Sequence, residues 1–129
     1  YSYRKFGKII FGTTYKKMAI TFGVKWRDND LRLHTKKLSG SEYEFALYMI
    51  SSVEYDKSAY LYELDNDGMW FEIVGRETEL VNFNTVKIQK VTVYTSYDKA
   101  LRSNSIDVYD YMTKKKYENI EDWHITHNQ

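Results

Sequence analysis

The sequence predicts a single α+β domain over residues 1–129: a mainly antiparallel sheet of about five or six strands with one principal helix, residues 41–55, packed on it. Three observations carry this. From Met18 to Trp26 apolar and small or polar residues alternate at the strand period, and the alternation resumes from Leu31 to Lys36. Ser41, with Glu44 three residues on, is a capping-box signature ahead of a broad apolar stripe. Asp67-Gly68 separates two β-rich runs as hairpin tips do.

Taken in order, Met18, Ile20, Phe22, Val24 and Trp26 share one face, and Ala19, Thr21, Gly23 and Lys25 the other. "RDND" supplies turn residues, after which Leu31 and Leu33 point inward and Arg32, His34 and Lys36 outward, completing a hairpin. Tyr43, Ala46, Leu47 and Ile50 form a helical stripe that Phe45 and Met49 broaden, as on a helix wedged against a sheet. "SAYLYELDNDGMWFEIVG" reads as a second hairpin and "RETELVNFN" as a short helix. "TVKIQKVTVYTS" is a strand with a bulge near Lys90-Val91. "SYDKALRSN" is a short helix capped by Ser96, and residues 106–117 favour two strands joined at "TKKK". The order from 31 to 95 also permits a ferredoxin-like βαββαβ core, although its second crossover of about nine residues is short for parallel strands.

Composition narrows the function classes. With 29% charged residues and mean hydropathy −0.63, the chain is neither a disordered tail nor a membrane protein of spanning helices. No run approaches the roughly 18 apolar residues that cross a bilayer. The sequence begins at Tyr1 rather than methionine, consistent with a signal or anchor upstream; of the compartments, the cytoplasm is the expectation. There is no cysteine, which removes disulfides, thiolate catalysis and cysteine-based zinc sites. Lysine exceeds arginine, and Tyr and Ile are frequent, which fits an AT-rich coding source such as a phage or plasmid.

The informative feature is charge distribution. Net charge is +1, yet residues 1–38 hold ten basic side chains against two acidic ones, Asp28 and Asp30. The ten are Arg4, Lys5, Lys8, Lys16, Lys17, Lys25, Arg27, Arg32, Lys36 and Lys37; His34 joins them as a candidate anion contact. Beside the small residues of the expected outward row, these cations would neutralise phosphates, with Tyr15 and Trp26 as stacking surfaces, as in proteins that hold single-stranded nucleic acid. The competing reading is a solvated basic face matched to the chain's own acidic remainder or to an acidic protein partner.

Other motifs carry less. Glu63, Asp65, Asp67 and Glu72 resemble metal ligands, but the twelfth position of a calcium loop starting at Asp65 is Arg76. His124 and His127 lie three apart without a third histidine nearby in sequence. Ser96 has only Lys99 as a sequence-near base, and "FGTTYKK" lacks the glycine and GK pair of a phosphate loop. The expectation is therefore a small non-enzymatic binding module without cofactor or metal. It uses a basic, aromatic N-terminal hairpin to contact a polyanion, foremost nucleic acid. The alternative is a protein–protein interaction factor, such as an inhibitor carried by a mobile element or an assembly subunit, in which tyrosines anchor a partner or a second copy.

Overall fold

The computed structural model describes residues 10–24, 26–40 and 42–127, without the side chain of Glu77. In chain order the elements are β1 (Ile10–Gly12), α1 (Lys16–Thr21), β2 (Leu31–Lys37), β3 (Tyr43–Met49), β4 (Ala59–Leu64), β5 (Phe71–Ile73), β6 (Arg76–Asn82), β7 (Ile88–Tyr94), α2 (Tyr97–Ser103), β8 (Asp107–Asp110), β9 (Lys116–Tyr117) and α3 (Ile120–His127). The fold is α+β, sheet-dominated and mostly antiparallel. Its strands divide among a sheet ordered β2-β3-β8-β9, a sheet β1-β6-β5 and a ribbon β4-β7. One pairing in the four-stranded sheet is parallel, β3 with β8.

The largest correction concerns the helix expected over 41–55: Tyr43–Met49 is an inner strand of the four-stranded sheet, and the described residues of that range form no helix. Ser41 itself lies outside the described residues. Gly40, at φ 57°, turns the chain between β2 and β3, with Leu38 N–H donating to Glu42 O and Glu42 N–H to Ser39 O. The apolar run deceives because the open face of this strand carries Ala46 and Tyr48 opposite the buried Phe45, Leu47 and Met49. Its residues then satisfy helical spacing as readily as alternation. Phe45, Ala46, Leu47 and Met49 are all buried. With no helix in 31–95 among the described residues, the ferredoxin-like alternative falls as well.

The reverse correction applies to 18–26. Lys16–Thr21 is a short helix that buries Met18, Ile20 and Thr21. Tertiary contacts override the strand-like alternation here. The carbonyl of Thr21, freed at the helix end, accepts from the Tyr97 hydroxyl and from Trp26 Nε1 at 2.7 Å. Thr21 Oγ1 donates to Met18 O at 2.6 Å. The expected outward row of small residues does not exist. Thr21 is fully buried, and a Cβ on Gly23 would lie 3.0 Å from Ala59 Cβ, so this glycine permits α1's exit to press on β4.

Further on, Ala59–Leu64 pairs with β7 and not across the Asp67-Gly68 turn, while β5 pairs with β6, a strand where a helix was expected. The β4–β7 register slips between Glu63 and Leu64, opposite Gln89, one residue from the expected bulge. α2 has its expected cap, with Ser96 Oγ accepting from Lys99 N at 3.0 Å.

The core draws Ile20 from α1, Leu31 from β2, Leu47 and Met49 from β3, Ala59 and Leu61 from β4, Tyr97 and Leu101 from α2, Val108 from β8, and Ile120 and Trp123 from α3. All are at most 7% exposed, so the four-stranded sheet has one dry face, and the opposite side chains are left for solvent or a ligand. Leu47→Ala should cost about 3 kcal/mol through lost burial and a cavity. Tyr97→Phe should cost about 1 kcal/mol, because Trp26 still satisfies the Thr21 carbonyl. Urea denaturation checks both; equal losses would contradict the assignment of Tyr97.

Candidate functional site

The solvent face of the four-stranded sheet is set by register, since directly paired residues point to the same side. Arg32 pairs with Tyr48, His34 with Ala46 and Lys36 with Glu44. The parallel ladder then sets Tyr48 beside Tyr109 and Ala46 beside Asp107, and β9 adds Lys116 beside Tyr109. Past the end of β8 the ladder continues for one more bond, Tyr111 N–H to Met49 O at 2.9 Å.

Aromatic side chains dominate the middle of this face. The Tyr48 and Tyr109 rings stack with centroids 5.0 Å apart and planes 14° from parallel, and the edge of His34 meets Tyr48 at 5.9 Å. Cations lie over the rings. Arg32 Cζ is 5.5 Å from the Tyr111 centroid, and Lys114 Nζ is 4.2 Å from Tyr111 and 5.2 Å from Tyr48. Lys114 Nζ also donates to Tyr111 O at 2.6 Å.

Lys114 reaches this position because the β8–β9 turn is held tightly. Asp110 Oδ2 accepts from Thr113 N at 2.7 Å and Thr113 Oγ1 at 2.9 Å, and Lys114 takes φ 63° with its N–H on Asp110 O. The other carboxylate oxygen, Oδ1, accepts from Trp123 Nε1 at 2.8 Å and faces His127 Nε2 at 3.2 Å. His127 stacks on Trp123 at 4.5 Å, so α3 braces the turn from behind. Burial alone would raise the Asp110 carboxyl. The bonds from Trp123 and Thr113 and the charge of His127 outweigh burial and hold it below its ordinary value.

On this face Lys36, Lys114, Lys116 and Arg32 oppose Glu44 and Asp107. Lys116 is bridged to Asp107 at 3.4 Å, whereas Arg32 and Lys36 make no salt bridge among the described residues.

The sequence-derived candidates scatter. Arg32, His34 and Lys36 come together as expected. Lys37 belongs to the other parity of β2, and Lys16 and Lys17 are exposed on α1. Arg27 is exposed in the loop before β2. Tyr15 packs on Tyr43 and Phe45, at 5.0 and 5.8 Å, and Trp26 stacks on Phe22 at 4.9 Å. Arg4, Lys5, Lys8 and Lys25 lie outside the described residues. Tyr48, Tyr109, Tyr111, Lys114 and Lys116 were not anticipated. The alternating "DVYDY" hints at a strand with tyrosines on one side, but nothing local tells which strand it joins.

Asp65 and Asp67 serve the turn. Asp65 accepts from Gln89 Nε2 at 2.7 Å, and Asp67 from Met69 N at 2.9 Å and Asn82 Nδ2 at 3.1 Å. His124 and His127 diverge, His124 Nδ1 lying 2.8 Å from Ser52 Oγ. Among the described residues no three His, Asp or Glu side chains gather as metal ligands, and no helix is long and apolar enough to cross a membrane. Neither a family model, nor a curated protein, nor a solved structure matches the chain.

Since folding lowers the Asp110 carboxyl, the folded state binds this proton less tightly than the unfolded chain. The resulting stability is fully present above the ordinary carboxylate range near about 4 and is lost as pH falls through the lowered folded value. Wild type should exceed Asp110→Asn in urea stability at neutral pH, and the gap should close on acidification. A gap independent of pH would show that the Asp110 charge does not hold the turn.

Proposed function

We propose that the chain is a binding module that holds single-stranded nucleic acid on the solvent face of its four-stranded sheet. The observation that carries this is the gathering of three tyrosines with Arg32, Lys36 and Lys114 on one face, where none of these three cations has a carboxylate partner among the described residues. Bases stack on aromatic faces whatever their sequence, and cations beside them neutralise phosphates. The ammonium of Lys114 rests over Tyr48 and Tyr111, and a phosphate draws it outward, exposing ring surface to a base. The basic character assigned to an N-terminal hairpin is thus carried by β2 together with the β8–β9 turn.

Fluorescence anisotropy with a labelled thymidine oligonucleotide tests this through its salt dependence. Binding should weaken with salt at a log–log slope near about −0.7 per phosphate contact, and Arg32→Ala or Lys36→Ala should each reduce the slope by about that amount. Tyr48→Ala and Tyr109→Ala should leave the slope unchanged and cost about 1–3 kcal/mol per lost stack. No binding at about 50 mM salt would refute the reading.

A second reading, contact with another protein, has its own support in the β4–β7 ribbon. Tyr60 pairs with Val93 and Tyr62 with Val91, all four exposed, and the two tyrosine rings stack at 6.3 Å. Paired apolar side chains on an open sheet face are typical of interaction surfaces. If this face joins two copies, light scattering after size exclusion should show a dimer that Tyr60→Ser with Tyr62→Ser dissociates. A monomeric wild type removes self-association.

A further inference from the structure

Outside the tyrosine face, two independent features coincide. The first is a serine–histidine contact between distant segments. Ser52, in the loop after β3, places Oγ 2.8 Å from Nδ1 of His124 on α3. The Tyr55 ring lies against the imidazole, with centroids 5.1 Å apart. The second is a surface cleft of about 490 Å³ lined by Trp26, Arg27, Asp30, Ser52, Val53 and Glu54. It is a shallow depression open to solvent on one side.

Hydrogen bonds between the two loops hold the cleft in shape. Ser51 Oγ donates to Asp30 Oδ1 at 2.9 Å, Arg27 N donates to Asp30 Oδ2 at 3.0 Å, and Ile50 and Ser51 N–H groups both donate to Asp30 O. These bonds fix the loop before β2 against the loop after β3. Trp26 is anchored by its bond to the Thr21 carbonyl and its stack on Phe22. The Arg27 guanidinium makes no salt bridge among the described residues.

A hydroxyl within hydrogen-bond reach of an imidazole, opening on a cleft, is the arrangement of nucleophile and base. We propose that Ser52 and His124 form an acyl-transfer site for small esters that carry an anionic group, which Arg27 receives while Trp26 and Val53 cover the apolar part. With Nδ1 free of hydrogen, Ser52 Oγ bonds to the ester carbonyl carbon and its proton passes to His124. The tetrahedral intermediate collapses, the bond to the alcohol oxygen breaks, and the alcohol leaves with the proton from His124. Water repeats the sequence on the acyl-serine, giving the carboxylic acid and restoring Ser52. The site shares no residue with the tyrosine face and stands or falls separately from the nucleic-acid reading.

The test uses the full chain with a fluorophosphonate probe and peptide mapping by mass spectrometry, then with 4-nitrophenyl esters. Ser52 should be labelled, and Ser52→Ala should abolish labelling with an unchanged circular dichroism spectrum. His124→Ala should slow it about 100-fold, the scale of general-base catalysis, with recovery on adding imidazole. Arg27→Gln should reduce hydrolysis of the hemisuccinate ester more than that of the acetate. Failure to label Ser52, or wild-type labelling in His124→Ala, overturns the proposal. A slow His124→Ala variant that imidazole does not restore assigns that histidine a structural role and overturns it as well.

Discussion

The parallel pairing of β3 with β8 is the constraint on which the rest of the molecule depends. It joins residues distant in sequence and divides their side chains by parity between two environments. Leu47, Met49 and Val108 go to the core, while Tyr48 and Tyr109 go to the opposite face. A shift of one residue in this pairing would exchange the two sets, placing tyrosine hydroxyls in the core and leucine in water. Closing a parallel pair needs a long connection. Here the intervening chain supplies the β4–β7 ribbon and α2, both of which pack on the dry side.

Much of the fold was legible where a local signal had one meaning. The first half of β2 reads directly, with Leu31 buried and Leu33 half-buried between exposed Arg32 and His34, while from His34 to Lys37 both faces are open to solvent. Ser96 announces α2 because a cap acts within one turn. Reading failed where tertiary contacts decide. In "YEFALYM" the dry face takes Phe45, Leu47 and Met49 while the open face also carries apolar or aromatic Ala46 and Tyr48, so apolar residues fall at helical and strand spacing alike. In "KKMAIT" the alternation is genuine, but the Trp26 indole five residues on and the Tyr97 hydroxyl from distant α2 satisfy the end of a helix instead. The strands over 59–64 and 71–73 were visible but their partners were not, since turn chemistry at Asp67-Gly68 fits a loop between sheets as well as a hairpin, and β6 was expected as a helix.

The candidate site shows the same division. Clustered cations in the first 38 residues were visible as a count, yet a count gives no direction. Folding sends Arg32, His34 and Lys36 to one face, leaves Lys16 and Lys17 on α1, and recruits Lys114 and Lys116 from the acidic remainder. Net charge therefore understates what the sheet presents locally. The carboxylate of Asp110 connects this face to the core. Through Thr113 it shapes the turn that carries Lys114, and through Trp123 and His127 it ties that turn to α3. The Ser52–His124 contact was beyond any local reading, because its members meet only after β3 and α3 are in place.

The most direct measurement is nuclear magnetic resonance of the isotopically labelled protein titrated with a short thymidine oligonucleotide. Binding on the sheet should shift the ring resonances of Tyr48, Tyr109 and Tyr111 and the side-chain signals of Arg32 and Lys114 together, while Tyr60 and Tyr62 stay in place. Shifts centred on the β4–β7 ribbon, or none at saturating oligonucleotide, would contradict the assignment of this face to nucleic acid.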